Sequence, residues 1–283
     1  MQYRTLSNGV ELPMIGYGTF QIKDAAQCEQ CISEALETGY RLFDTAASYE
    51  NEAAIGMALR DSGLPREEWF VTTKLWVQDA GYDGTLRAFE HSLENLGLDQ
   101  IDLYLIHQPF GDYYGAWRAM ERLHREGAVR AIGVSNFTPE RLVDLCMNQE
   151  FKPMVNQIEI HPFFQQNTAL RVMEDYGVVP QAWGPLSEAQ KDIFNHKTLA
   201  KIADRHGKTV AQVILRWHLQ RKIPTIPKTV HRGRMAENLD VFDFELTAKE
   251  MESIAGMDIG HSEIIDHHCF CTARQLNSVK IHT

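Results

Sequence analysis

No stretch of this 283-residue sequence approaches the roughly 18 consecutive apolar residues needed to cross a bilayer, and the opening segment MQYRTLSNGVELP has no apolar core of the secretory kind. Basic residues are also short. Against 38 Asp and Glu there are 28 Lys and Arg, a formal charge of -10. Nucleic acids and anionic membranes reward basic surfaces, so neither is expected as a partner. Five cysteines, an odd number scattered along the chain, make no disulfide framework and fit a reducing compartment, so the expected location is cytoplasmic. Gly16 and Gly18 form a GxG without the third glycine, so the usual dinucleotide fingerprint is missing. No linker or low-complexity tract divides the chain, which reads as one domain over residues 1–283.

What is present is a repeated alternation. Continuous apolar runs recur at Met14 to Gly18, Arg41 to Phe43, Trp69 to Thr73, Ile101 to Ile106, Val129 to Val134, Met154 to Ile158, Val178 to Ala182 and Ile223 to Ile226. Runs without alternation belong to strands buried on both faces, as in parallel sheets. Amphipathic stretches separate them. Gly39, Gly63, Gly97, Gly127 and Gly177 stand where helices end, and Thr138-Pro139 marks a helix start. Eight strands with right-handed crossovers close a (β/α)8 TIM barrel, with an open doubly wound sheet as the competing arrangement. Asn8-Gly9 predicts an N-terminal β-hairpin beneath the barrel. Two helical patterns between Trp183 and Lys228 imply an extra helix, and the weakly periodic tail from Met257 is expected across one end of the barrel.

In such barrels chemistry collects at the C-terminal ends of the strands. The residues there are Asp44, Lys74, His107, Ser135 with Asn136, Gln157, Trp183 and Lys228, with Tyr49 a short way past Asp44. Each has a bland explanation: Asp44 as a helix cap, Lys74 snorkelling, His107 as a satisfied core residue. Their convergence on one rim favours a proton-transfer site.

The motifs carrying these residues are LFDTAASYENE (Leu42 to Glu52), TTKLW (Thr72 to Trp76), LIHQP (Leu105 to Pro109), GVSNF (Gly133 to Phe137) and IPK followed by Arg234, Glu237 and Asn238. Through them the sequence resembles the aldo-keto reductases along nearly its whole length, most of all the compact bacterial members of the 2,5-diketo-D-gluconate reductase group. The resemblance implies NADPH-dependent reduction of aldehydes and ketones by a catalytic set of Asp44, Tyr49, Lys74 and His107. Tyr49 would act as the acid. Its free pKa of about 10 is high, and the Lys74 ammonium, held by Asp44, is expected to lower it, while His107 orients the carbonyl. Cofactor contacts are expected from Gly18, Thr19, Ser135, Asn136, Gln157, Trp183, Gly184, Pro185, Leu186, Lys228, Thr229, Val230, Arg234, Glu237 and Asn238. Arg234 suits a 2′-phosphate through its guanidinium fork.

Phe20, Trp76, Gln108 and Phe110 are expected to shape the substrate pocket. Gln108 and Phe20 stand where many eukaryotic members carry tryptophan, and Trp183 where tyrosine is frequent. The pocket is therefore expected to be less aromatic and more polar, suited to small oxygenated carbonyls, dicarbonyls or keto-sugars. The protein is expected to be a monomer or weak dimer. No metal is expected: His267, His268, Cys269 and Cys271 crowd too closely for tetrahedral ligation, and the Cys28/Cys31 pair reads as one buried helix face. Two rival readings are a nucleotide-binding accessory protein on the same fold, and a barrel hydrolase using Asp44, Glu50 or Glu52. The hydrolase leaves Tyr49 and Lys74 without a task.

Overall fold

The computed structural model describes residues 2–282. The chain opens with an antiparallel hairpin, β1 (Tyr3–Thr5) and β2 (Glu11–Pro13). Its turn is at Asn8 and Gly9, where Gly9 adopts φ +85. Asn8 Nδ2 donates to the Arg130 carbonyl at 2.9 Å, which seats the hairpin against the N-terminal end of the barrel.

Seven strands follow in one parallel sheet, neighbours in sequence order: β3 (Tyr17–Gly18), β4 (Leu42–Asp44), β5 (Phe70–Leu75), β6 (Ile101–Ile106), β7 (Val129–Ser135), β8 (Val155–Glu159) and β9 (Val179–Trp183). Every residue of β4, β5, β6 and β8 is buried, hence the lack of alternation. The expected eighth strand at Ile223 to Ile226 is reduced to bridges from Thr225 to Ile15 and to Ala182. Pro224 and Pro227 have no N–H to extend a ladder. Closure is nevertheless complete. Thr225 N donates to Met14 O and Gly16 N to Thr225 O on one side, and Ala182 N to Pro224 O on the other. Gly18 is needed at this seam, because a Cβ there would lie 2.8 Å from the Ile226 carbonyl oxygen.

The connecting helices are α1 (Ala25–Thr38), α2 (Glu52–Asp61), α3 (Tyr82–Leu96), α4 (Tyr113–Arg125), α5 (Pro139–Asn148), α6 (Asn167–Tyr176), α7 (Lys197–His206), α8 (Val210–Gln220), α9 (Arg232–Leu239) and α10 (Ala248–Ala255). Both α7 and α8 fall after β9, as the two helical patterns there require. Cys28 and Cys31 lie on the buried face of α1 with Ile32, Ala35 and Leu36, and burial pushes the Cys28 thiol up to about 12. The tail holds a helix that its weak periodicity did not predict, α11 (Phe270–Ser278), none of whose residues is buried. No helix among the described residues is long and apolar enough to cross a membrane.

At the N-terminal end of the strands Asp102 is fully buried, pairing with Arg66 at 2.6 Å and Arg130 at 2.7 Å and accepting from Val71 N at 2.8 Å. One carboxylate thus ties β5, β6 and β7 together. On the outer layer, α2 meets the end of α3 so closely that a Cβ on Gly56 would stand 2.0 Å from the Leu96 carbonyl oxygen. Gly56→Ala is expected to cost about 2 kcal/mol in urea unfolding through overpacking. An unchanged unfolding midpoint would contradict this contact.

Candidate active site

Asp44 ends β4, Lys74 is the penultimate residue of β5, and His107 follows β6, so the parallel register brings all three to one rim. Tyr49 arrives by a different route, at the end of a 3-10 turn over Ala47–Tyr49 that Glu50 leaves in the left-handed region. Asn51 braces that turn. It accepts from Thr45 Oγ1 at 2.6 Å and donates to the carbonyls of Thr19 at 3.1 Å and Ile22 at 3.2 Å.

Lys74 is completely buried, and its ammonium meets Asp44 Oδ1 at 2.5 Å, the Thr45 carbonyl at 2.8 Å and the Tyr49 hydroxyl at 3.5 Å. Gln157 Nε2 donates to the other Asp44 oxygen at 2.6 Å and to Gln181 Oε1 at 2.9 Å. Burial disfavours the Lys74 charge, but Asp44 and Tyr49 outweigh it and hold the ammonium above its ordinary pKa. We read the pair as ammonium and carboxylate, because Asp44 is aimed at donors from both Lys74 and Gln157.

Lys74 does pull the Tyr49 pKa down, as expected, but the net shift is upward. The ring is half-buried, but its hydroxyl points inward to Lys74; burial raises the pKa more than Lys74 lowers it, and Asp44 raises it further. Asp44, a full ångström nearer to Lys74 than the phenol is, offsets part of the lowering that the ammonium exerts. Tyr49 is therefore a protonated phenol at neutral pH. His107 moves the opposite way: burial, then Lys74, then His267 hold it well below the usual histidine value, so its imidazole is neutral.

The rings of Phe20 and Tyr49 have centroids 5.0 Å apart, and those of Trp76 and His107 5.3 Å. Gln108 faces the tail, its Oε1 3.0 Å from His267 Nε2. Phe110 lies under the Arg141 guanidinium, whose Cζ is 5.5 Å from the ring centroid.

Of the residues expected to hold a cofactor, several are already engaged. Thr19 Oγ1 donates to the Asp44 carbonyl at 2.9 Å, and Ser135 Oγ to the Gln157 carbonyl at 2.8 Å. Asn136 donates to the His107 carbonyl at 3.0 Å and accepts from the Trp183 indole at 2.8 Å. Asn238 is buried on α9 beside Tyr40. Thr229 accepts from His231 N at 3.1 Å. Beyond them Lys228 and Arg234 are exposed, and neither has an ion-pair partner among the described residues, whereas nearby Arg232 pairs with Glu37 at 2.9 Å. Gly184, Pro185 and Leu186 lead from β9 into Ser187–Asn195, where Glu188, Ala189, Lys191 and Asp192 all take positive φ, and Lys191 pairs with Glu263 of the tail at 2.9 Å. Val230 and Glu237 are half-buried at the same edge.

Sequence reasoning missed four residues here. Ser48 Oγ is 3.3 Å from His107 Nδ1, Gln181 extends the Gln157 contact, and His267 and Val279 bring the tail to Gln108 and to the Trp76 indole, the latter at 3.0 Å. Ser48 lies inside the LFDTAASYENE motif, between Asp44 and Tyr49. The tail was expected across one end of the barrel, but spacing does not say which of its residues meet Gln108 and Trp76.

A family model described as the Aldo/keto reductase family matches residues 14–259. Glyoxal reductase of Bacillus subtilis is 46% identical over 254 residues, 89% of this chain and 91% of that protein. The 9,11-endoperoxide prostaglandin H2 reductase of Trypanosoma cruzi is 46% identical over 252 residues, 88% and 89% of the two chains. Among solved structures, a Bombyx mori aldo-keto reductase in complex with NADP superposes with a TM-score of 0.88 at 32% identity, covering 94% of this chain and 96% of its own.

Lys74→Met strands the Asp44 carboxylate in the barrel, and is expected to cost about 3 kcal/mol or more in chemical denaturation. Removing both charges, in Asp44→Asn/Lys74→Met, is expected to cost less than the single change. A double variant less stable than Lys74→Met would mean that the buried charge is not what the pair neutralises.

Proposed function

The chain belongs to the aldo/keto reductase family, and from that premise we propose that it reduces small oxygenated aldehydes and ketones, dicarbonyls and keto-sugars among them, to alcohols at the expense of NADPH. One observation carries the reading: the Tyr49 hydroxyl sits 3.5 Å from the buried Lys74 ammonium, with the His107 ring centroid 5.6 Å from the tyrosine ring, and burial holds the phenol above and the imidazole below their ordinary pKa values. That is an acid, a cation to stabilise its conjugate base, and a neutral hydrogen-bond donor in one cluster.

The donor set fits a phosphorylated dinucleotide. Lys228 and Arg234 are cations without an ion-pair partner among the described residues, at one edge of a chain with a formal charge of -10, which favours an anion there, and a 2′-phosphate matches the Arg234 fork. Ser135, Asn136, Gln157 and the half-buried Trp183 face would hold a nicotinamide; Gly18, Thr19, Gly184, Pro185, Leu186, Thr229, Val230, Glu237 and Asn238 would line the remainder. When bound, that group supplies the hydride for the carbonyl carbon. Tyr49 donates its phenolic proton to the carbonyl oxygen as negative charge develops there. Lys74 stabilises the phenolate left behind, and Asp44 with Gln157 holds the ammonium in place. His107 donates a hydrogen bond to the same oxygen and fixes the direction from which the carbonyl enters. The similarity to glyoxal reductase and the polar Gln108–His267 flank support a small, oxygen-rich substrate.

Tyr49→Phe keeps the ring but removes the proton. Carbonyl-dependent NADPH oxidation is expected to fall by roughly 100-fold to 10,000-fold with NADPH affinity, followed by fluorescence titration, nearly unchanged. Wild-type turnover in this variant would sink the role given to Tyr49. Arg234→Ala is expected to raise the KM for NADPH about tenfold and that for NADH far less; equal effects on the two would count against a 2′-phosphate contact.

A further inference from the structure

A neutral imidazole carries one ring proton, so His107 can donate to a carbonyl oxygen only if that proton is on the nitrogen facing the substrate. Its surroundings bear on which nitrogen that is. The main chain is held on both sides, His107 N donating to the Leu75 carbonyl at 3.1 Å and the His107 carbonyl accepting from Asn136 Nδ2 at 3.0 Å. The ring stands edge-on to Tyr49 and Trp76, whose aromatic faces offer no strong hydrogen-bond partner. Ser48 Oγ, 3.3 Å from Nδ1, is the polar atom that meets the ring among the described residues. The Ser48 hydroxyl makes no other side-chain hydrogen bond there, so its proton is uncommitted.

We propose that Ser48 is a positioning residue whose hydroxyl donates to His107 Nδ1 and so holds the imidazole as the Nε2–H tautomer, leaving the Nε2 proton for the substrate carbonyl. The reverse arrangement, Nδ1–H donating to Ser48 Oγ, gives the serine proton no acceptor among the described residues and turns an Nε2 lone pair toward the carbonyl oxygen, where it repels. Ser48 immediately precedes Tyr49 in the Ala47–Tyr49 turn. A single turn thereby carries the acid and orients the second donor, so the two cannot be displaced independently. This rests on the proposed reductase reading for its functional meaning, but the tautomer itself does not.

The test is 15N NMR of histidine-labelled protein, with the His107 signals assigned through loss in His107→Gln. The wild type is expected to show a protonated Nε2 and an unprotonated Nδ1 that accepts a hydrogen bond. In Ser48→Ala the Nδ1 signal is expected to shift toward a mixed tautomer, and kcat/KM for a small aldehyde to fall roughly 3-fold to 10-fold, the worth of one neutral hydrogen bond, with NADPH affinity unchanged. Ser48→Thr keeps a hydroxyl and is expected to restore both. A proton on Nδ1 in the wild type, or a Ser48→Ala spectrum identical to it, would overturn the proposal. If the wild type reduces no carbonyl at all, the proposed function fails while the NMR result still decides the role of Ser48.

Discussion

The rim of this barrel is organised around one buried ion pair, Lys74 with Asp44 at 2.5 Å. Neither charge is solvated, so each is tolerable only because the other is in place. Asp44 then holds Gln157 from the far side of the barrel, Lys74 holds the Thr45 carbonyl and the Tyr49 hydroxyl, and Gln157 holds Gln181. Through these contacts β4, β5, β8 and β9 are tied at their C-terminal ends by polar groups that an apolar core would not need. The same cation that the fold must neutralise is the one the proposed tyrosine acid would require, so in the proposed reaction stability and chemistry would depend on a single pair.

The opposite end of the strands makes an instructive contrast. Asp102 is also buried and paired, but with two arginines whose side chains reach it from outside, and no phenol or imidazole lies among its partners. A buried carboxylate by itself is a structural tie. What distinguishes the rim is an ammonium whose charge is shared between a carboxylate and a group able to give up a proton.

Much of this was legible in the residue order. Continuous apolar runs located the strands because both faces of a parallel barrel strand are buried, and the polar residue following each run then had to lie on the rim. Asp44, Lys74 and His107 were found in this way. Two kinds of feature escaped. The first depends on depth: Lys74 was expected to lower the Tyr49 pKa, but the sign follows from how far the hydroxyl is buried and how much of the ammonium field Asp44 cancels, neither of which is encoded in spacing. The second depends on contacts distant in sequence: Ser48 with His107, Gln108 with His267 and Trp76 with Val279. The helix α11 gave no periodic signal because it buries none of its residues. The last barrel strand was over-read for a local reason, since prolines on either side of Thr225 and Ile226 leave bridges where a ladder was expected.

The central claim is that hydride passes to a carbonyl at this rim while Tyr49 supplies the proton. Incubating the wild-type protein with a small dicarbonyl and NADPH carrying deuterium at nicotinamide C4, then weighing the product by mass spectrometry, tests it most directly. The account predicts an alcohol carrying one deuterium on the former carbonyl carbon when the label is on the transferred face. Absence of the alcohol, or an alcohol unlabelled with either face deuterated, would contradict it.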